Sequence, residues 1–101
     1  MPTVEQLERV LAADPNDTFV LYALAQEHAK RGNADAALAF YDRCLAADRL
    51  YCYAYFHKAK VLEGLGRLGD ARATLAAGVV AAREAGDMKA LSEISGALDL
   101  L

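Results

Sequence analysis

The chain contains two similar segments whose matching positions are 34 residues apart. The matched pairs are Tyr22 with Phe56, Ala25 with Ala59, Gly32 with Gly66, and Ala37 with Ala71. A fixed period of this length is typical of arrays of helix–turn–helix units, each too thin to bury its apolar face alone. The period therefore predicts an all-α fold. Because such arrays present surfaces and seldom perform chemistry, it also predicts a binding function.

Capping and turn residues divide the chain into six predicted helices. Thr3 and Gln6 have the spacing of a capping box before the first helix, and Asp14 or Asp17 is expected to cap the second. Gly32 is expected to end the second helix, because glycine tolerates positive φ. The second helix is expected to end at about Arg31, and the third to run from its cap Asn33 to about Ala47. The fourth is expected at about 51–65 and the fifth at about 69–85, and Asp87 is expected to cap the last helix.

These positions resemble the tetratricopeptide repeat (TPR) family, whose unit is a pair of antiparallel helices, and in particular its small stand-alone bacterial-type members. The matching residues are Leu21, Leu24, Ala25, Gly32, Ala37, Tyr41 and Asp48 in the first repeat, and Tyr55, Ala59, Leu62, Gly66, Ala71 and Leu75 in the second. The resemblance covers about residues 3–85. It implies an α-solenoid of antiparallel helix pairs forming a single TPR domain over residues 1–101. Its expected parts are a half-repeat helix at 3–14, full repeats at 18–51 and 52–85, and a capping helix at 87–101.

One face of each repeat's first helix carries the candidate partner-binding residues. In the TPR family these helices line a concave groove that binds segments of other proteins. The candidates are Phe19, Tyr22, Gln26 and Lys30 in the first repeat, and Tyr53, Phe56, His57 and Lys60 in the second. Aromatic residues are enriched at interface hot spots, and the lysines offer contacts to an acidic group. Tyr22 and Phe56 are expected to be the most exposed. The alternative is that these aromatics pack against one another.

A subset of TPR proteins clamps a C-terminal carboxylate with lysine, asparagine and arginine side chains on these helices. The corresponding positions in this chain hold Tyr22, Ala23, Gln26, Tyr53 and His57. Because this set lacks the family's clamp residues, a carboxylate-clamp co-chaperone is not expected.

Composition and motifs argue against several other classes of protein. The net charge of −3 is spread without a basic stripe, so no nucleic-acid partner is expected. No signal peptide or apolar run of about 18 residues is visible, which favours a cytoplasmic protein without a membrane partner. No catalytic, metal or cofactor motif is present, so neither an enzyme nor a cofactor is expected. His28 and Cys44 are expected to pack in the interior. Cys52 begins a helix, but no base lies beside it in sequence.

Two functions remain open from the sequence. The first is a non-catalytic adaptor that binds a peptide or helix of a partner protein in the concave groove. The second is a self-association module with no foreign ligand. The last helix ends in Leu98, Leu100 and Leu101, which predicts a possible homodimer through this helix.

Overall fold

The computed structural model describes residues 2–101, and within them six α-helices follow one another through short turns, with no β-strand. The helices are α1 (Val4–Ala13), α2 (Thr18–Lys30), α3 (Ala34–Ala47), α4 (Cys52–Gly64), α5 (Leu68–Ala85) and α6 (Met88–Asp99). The observed limits lie within one residue of the numbered limits predicted from the sequence, except that α6 ends at Asp99, two residues before the predicted end of the capping helix. The predicted all-α class is confirmed.

Side-chain caps begin three of the helices as predicted. The Thr3 hydroxyl accepts from the Gln6 amide at 3.1 Å, and the Gln6 side chain accepts from the Thr3 amide at 2.9 Å, so the capping box before α1 is present. Asp17, rather than Asp14, caps α2 by accepting from the Val20 amide at 3.1 Å. Asp87 caps α6 in the same way. These bonds satisfy amide groups that a helix start leaves without partners.

The expected cap at Asn33 is wrong in one respect. Asn33 holds the N-cap position of α3, but its side chain makes no capping hydrogen bond. The side-chain nitrogen Nδ2 of Asn33 lies 3.4 Å from Nδ1 of His28 instead. The preceding turn explains this arrangement: Gly32 has φ of +77°, and the Asn33 backbone amide donates to the His28 carbonyl at 2.9 Å. The side chain therefore lies beside the end of α2 rather than over the start of α3.

Residues 2–48 form the first of two compact units, built from α1, α2 and α3. Its buried core contains Leu21, Leu24 and Tyr41, with Ala25 and Ala37 fully buried among them. Alanine at these positions allows the two helices of the pair to approach closely. The amphipathic helix α1 packs on α2 through Val4, Leu7 and Leu11.

Residues 49–101 form the second unit, from α4, α5 and α6. Its core includes Leu62, Leu75 and Ile94, and the alanine pair of the first unit recurs as buried Ala59 and Ala71. Within residues 2–101 the core of both units contains no buried charged or polar residue. Hydrophobic burial therefore accounts for most of the favourable free energy of folding.

A glycine determines how closely two helices of the second unit pack. Gly78 of α5 is buried, and a Cβ atom at this position would lie 2.8 Å from Cβ of Tyr55 on α4. Tyr55 is held in place, because its hydroxyl donates to the Arg49 carbonyl at 2.7 Å. The close approach of α5 to the Tyr55 side chain therefore requires glycine.

Candidate partner-binding site

A cavity of about 220 Å³ lies along one side of α2 in the first unit. It is lined by Pro2, Leu7, Phe19, Tyr22, Ala23, Gln26, Glu27 and Lys30, and we call it the α2 pocket. All four candidates predicted on α2 therefore line one cavity. Their spacing along the helix explains this, since residues three or four apart share a helical face.

The order of exposure among the aromatics differs from the sequence-based expectation. Tyr22 and Phe56 were expected to be the most exposed, but both are half-buried, whereas Phe19 is 68% exposed. Tyr22 is covered because its ring packs edge-on against the buried Tyr41, with 6.2 Å between centroids. Phe19 lies in the first turn of α2. It is an exposed large hydrophobic side chain in the lining of the α2 pocket.

A chain of hydrogen bonds joins the wall of the α2 pocket to the core. The Tyr41 hydroxyl donates to Oε1 of Gln26 at 2.7 Å, and Nε2 of Gln26 donates to the Tyr22 hydroxyl at 3.3 Å. Burial raises the pKa of Tyr41 well above its usual value, so the hydroxyl remains a donor at neutral pH. Gln26 is therefore held in a fixed orientation in the pocket wall.

An ion pair lies at one end of the α2 pocket. Nζ of Lys30 lies 3.2 Å from Oε1 of Glu27, and the two side chains are 60% and 18% exposed. The carboxylate is therefore the more deeply placed of the two charges. Glu27 was not among the candidate residues predicted from the sequence. Its position three residues before Lys30 was the available signal, because such pairs commonly form on helices.

The four candidates on α4 contact one another. Nζ of Lys60 lies 4.6 Å above the Phe56 ring, and the Phe56 ring packs edge-on against both Tyr53 and His57, at 6.4 and 5.2 Å between centroids. The Tyr53 hydroxyl donates to Glu93 of α6 at 3.4 Å. We call these four residues the α4 cluster. Its aromatic rings are partly covered by their own neighbours.

His57 is half-buried in the α4 cluster, and burial is the main cause that lowers its pKa. The positive charge of Lys60 lowers the pKa further, whereas the carboxylate of Glu93 acts in the opposite direction. The imidazole is therefore neutral at neutral pH.

The remaining histidine is half-buried and packs between α2 and α3, whereas the two cysteines are buried. The ring of His28 stacks on Phe40 with 5.5 Å between centroids. The Cys44 thiol is buried and donates to the Thr18 carbonyl at 3.5 Å, and burial raises its pKa to about 11. Cys52 is also buried, with its thiol 3.3 Å from the Leu50 carbonyl. A raised pKa keeps a thiol protonated and poorly nucleophilic, so the predicted packing role of Cys44 is confirmed.

Residues 2–101 bring no three His, Cys, Asp or Glu side chains together in a way that would hold a metal ion. No helix among these residues combines the length and the apolar character that crossing a membrane requires.

The fold and the repeated helix pairs define a class of all-α repeat proteins, and comparison with solved structures identifies the family. A solution structure of a tetratricopeptide repeat domain protein from Salinibacter ruber is 46% identical, with a TM-score of 0.79, and the match covers 84% of this chain and 86% of that one. A crystal structure of the Salinibacter ruber domain is 45% identical, with a TM-score of 0.75 and coverage of 81% and 91%. The chain therefore belongs to the tetratricopeptide repeat family, and the predicted α-solenoid fold class is confirmed.

A third structure extends the similarity over almost the whole chain. The solution structure of a protein from Bordetella parapertussis is 28% identical, with a TM-score of 0.82, and the match covers 98% of this chain and 86% of that one. No protein-family model matches the chain, and a search of curated proteins returned no match.

Proposed function

We propose that the chain is a non-catalytic protein–protein interaction module that binds a segment of a partner protein in the α2 pocket. The observation that carries this proposal is the 68% exposure of Phe19 beside an open cavity. Membership of the TPR family supports the general class of function, because the similar proteins are tetratricopeptide repeat domains. Phe19 is the proposed anchor of the interface.

The size of the α2 pocket favours a protein segment over a small molecule. Its volume of about 220 Å³ is below the roughly 300–1,000 Å³ of typical small-molecule sites. A cavity of this size suits one or two side chains of a peptide or helix. Covering the exposed 68% of Phe19 would contribute about 1–2 kcal/mol, which is the magnitude expected of a residue that matters in an interface.

The α4 cluster is proposed as a secondary contact surface. Tyr53, Phe56, His57 and Lys60 already contact one another, so a partner would bury less new apolar area on them than on Phe19. We therefore expect substitutions in the α4 cluster to weaken partner binding less than substitutions at Phe19.

The test compares two exposed apolar residues. Phe19→Ala removes the proposed anchor, and Val80→Ala is the matched control, because Val80 is 57% exposed on α5 and does not line the α2 pocket. Partners captured with the intact chain are purified, and their affinities for both variants are measured by isothermal titration. We expect Phe19→Ala to lose about tenfold or more and Val80→Ala to bind like the unsubstituted chain. Equal affinities for the two variants would contradict the proposal.

Self-association remains a second proposal, and the 88% exposure of Leu100 favours it. Leu98 and Leu101 beside it are half-buried, so the apolar end of the chain is partly accessible. Sedimentation of the intact chain and of Leu100→Ser distinguishes the two outcomes. A dimer that the substitution dissociates supports this proposal, and a strict monomer at high concentration contradicts it.

A further inference from the structure

We propose that the partner segment bound in the α2 pocket is basic, with an apolar side chain beside Phe19 and a neighbouring lysine or arginine on the carboxylate of Glu27. This inference rests on the proposed function of the α2 pocket. The charges around the α2 pocket support a basic partner segment.

The carboxylate of Glu27 has unused capacity for hydrogen bonds. Its side chain is only 18% exposed, and its ion pair with Lys30 uses Oε1. A carboxylate has about four acceptor positions on its two oxygens, so Oε2 remains available to a further donor. A partly desolvated carboxylate attracts a cation more strongly than an exposed one does, because the local dielectric is lower.

Lys30 does not prevent this contact. Its side chain is 60% exposed, so the ammonium group can turn into the solvent when another cation binds the carboxylate of Glu27. An incoming arginine can bind both carboxylate oxygens with two parallel N–H groups, a geometry that the ammonium group of Lys30 does not have. A basic ligand can therefore share or replace the Lys30 contact.

The charge of the first unit also favours a basic partner. Residues 2–48 contain four lysines or arginines against eight aspartates or glutamates, so this unit is clearly acidic. Residues 49–101 contain seven basic against six acidic residues, and the charge of the whole chain is −3. The surroundings of the α2 pocket therefore attract cations and repel acidic segments.

The sequence predicts the opposite charge preference, because Lys30 and Lys60 offer contacts to an acidic group. Both lysines already have partners: Lys30 lies on Glu27, and Lys60 lies over the Phe56 ring. An acidic ligand would have to compete with Glu27 for Lys30 at close range. The repulsion between the two carboxyl groups would then oppose binding.

The test uses three fluorescein-labelled synthetic peptides of equal length with one central leucine. The residues on both sides of the leucine are lysine in the first peptide, glutamine in the second and glutamate in the third. Fluorescence polarisation at low salt measures their affinities for the intact chain. We expect the lysine peptide to bind about tenfold more tightly than the glutamate peptide, and salt near 1 M to remove most of the difference.

Three variants assign the preference to the pocket. Glu27→Gln should remove most of it, whereas Glu8→Gln, the same charge change on the exposed face of α1, should leave most of it intact. Lys30→Gln should tighten binding of the lysine peptide, because the competing cation is gone. If Lys30 were instead the recognition group for acidic segments, Lys30→Gln would weaken the glutamate peptide and leave the lysine peptide unchanged.

The remaining outcomes separate this inference from the proposed function. Equal binding of all three peptides, lost on Phe19→Ala, would overturn the basic preference and leave the α2 pocket as the binding site. Tighter binding of the glutamate peptide, lost on Phe19→Ala, would also overturn the basic preference and leave the α2 pocket as the binding site. Absence of binding by every peptide, or binding that Phe19→Ala does not change, would overturn both proposals.

Discussion

Two helical glycines, one buried and one exposed, provide a direct test of how the second unit packs. Gly78 lies in the middle of α5 and Gly96 in α6, and we consider Gly→Ala at each. A Cβ atom on Gly96 would have no neighbour within 4 Å. A Cβ atom on Gly78 would lie 2.8 Å from Cβ of Tyr55 and 3.3 Å from Cγ2 of Ile94.

The expected effects on stability follow from two opposing contributions. Alanine in place of glycine within a helix stabilises by about 0.5–1 kcal/mol, and both variants share this gain. At Gly78 the new methyl group meets a Cβ atom that no side-chain rotation can move, so α4 and α5 must separate by roughly half an ångström. Overpacking of this kind costs about 1–3 kcal/mol. Gly96→Ala should therefore be stabilising, and Gly78→Ala should be less stable than Gly96→Ala by about 1–3 kcal/mol.

The measurement is urea unfolding followed by far-ultraviolet circular dichroism, with the two variants compared at equal chain concentration. The gain in helix propensity is common to both variants and cancels when their free energies of unfolding are subtracted. The difference that remains is the cost of the contact with Tyr55. A difference below about 0.5 kcal/mol, or a more stable Gly78→Ala, would refute the close approach of α5 to Tyr55.

Three further predictions concern the first unit. Tyr41→Phe should lower the free energy of unfolding by about 1–2 kcal/mol in urea, because Oε1 of Gln26 loses its donor, and an unchanged value would contradict that bond. The unfolded chain releases the Cys44 proton near pH 9 and the folded chain near pH 11, so folding stability should fall between these values by up to about 3 kcal/mol. Cys44→Ala should unfold with a shallower alkaline dependence, and identical curves would argue against a buried thiol. Phe19→Ala should change the free energy of unfolding in urea little, because the side chain is exposed. A decrease of more than about 1 kcal/mol in this free energy would mean that Phe19 packs in the core.

The fold was accessible from the sequence because its signals are local and repeated. The 34-residue period, the capping pairs and the glycines at the turns each depend on residues close together in the chain. Gly32 and Gly66 illustrate this, since both have positive φ and are followed by the same backbone hydrogen bond to the end of the preceding helix. The close contact of Gly78 with Tyr55 was not accessible, because it joins two helices and depends on their separation.

The candidate site was predicted only in part. Helical spacing correctly placed Phe19, Tyr22, Gln26 and Lys30 on one face, and all four line the α2 pocket. Their relative exposure depends on what covers each ring from other helices, so the expectation for Tyr22 was wrong. The contribution of Leu7 and Pro2 to the pocket depends on how α1 packs on α2, which periodicity within one helix does not encode. The partner-binding role of these residues remains a prediction.

The most direct test of the central claim is site-specific photo-crosslinking in cells. A photoreactive amino acid replaces Ala23, which lines the α2 pocket, or Ala76, which is exposed on α5. If the α2 pocket binds the partner, position 23 should form a discrete adduct that Phe19→Ala abolishes, and position 76 should form none. Adducts of equal yield at both positions, or an adduct at position 23 that persists in Phe19→Ala, would contradict the account.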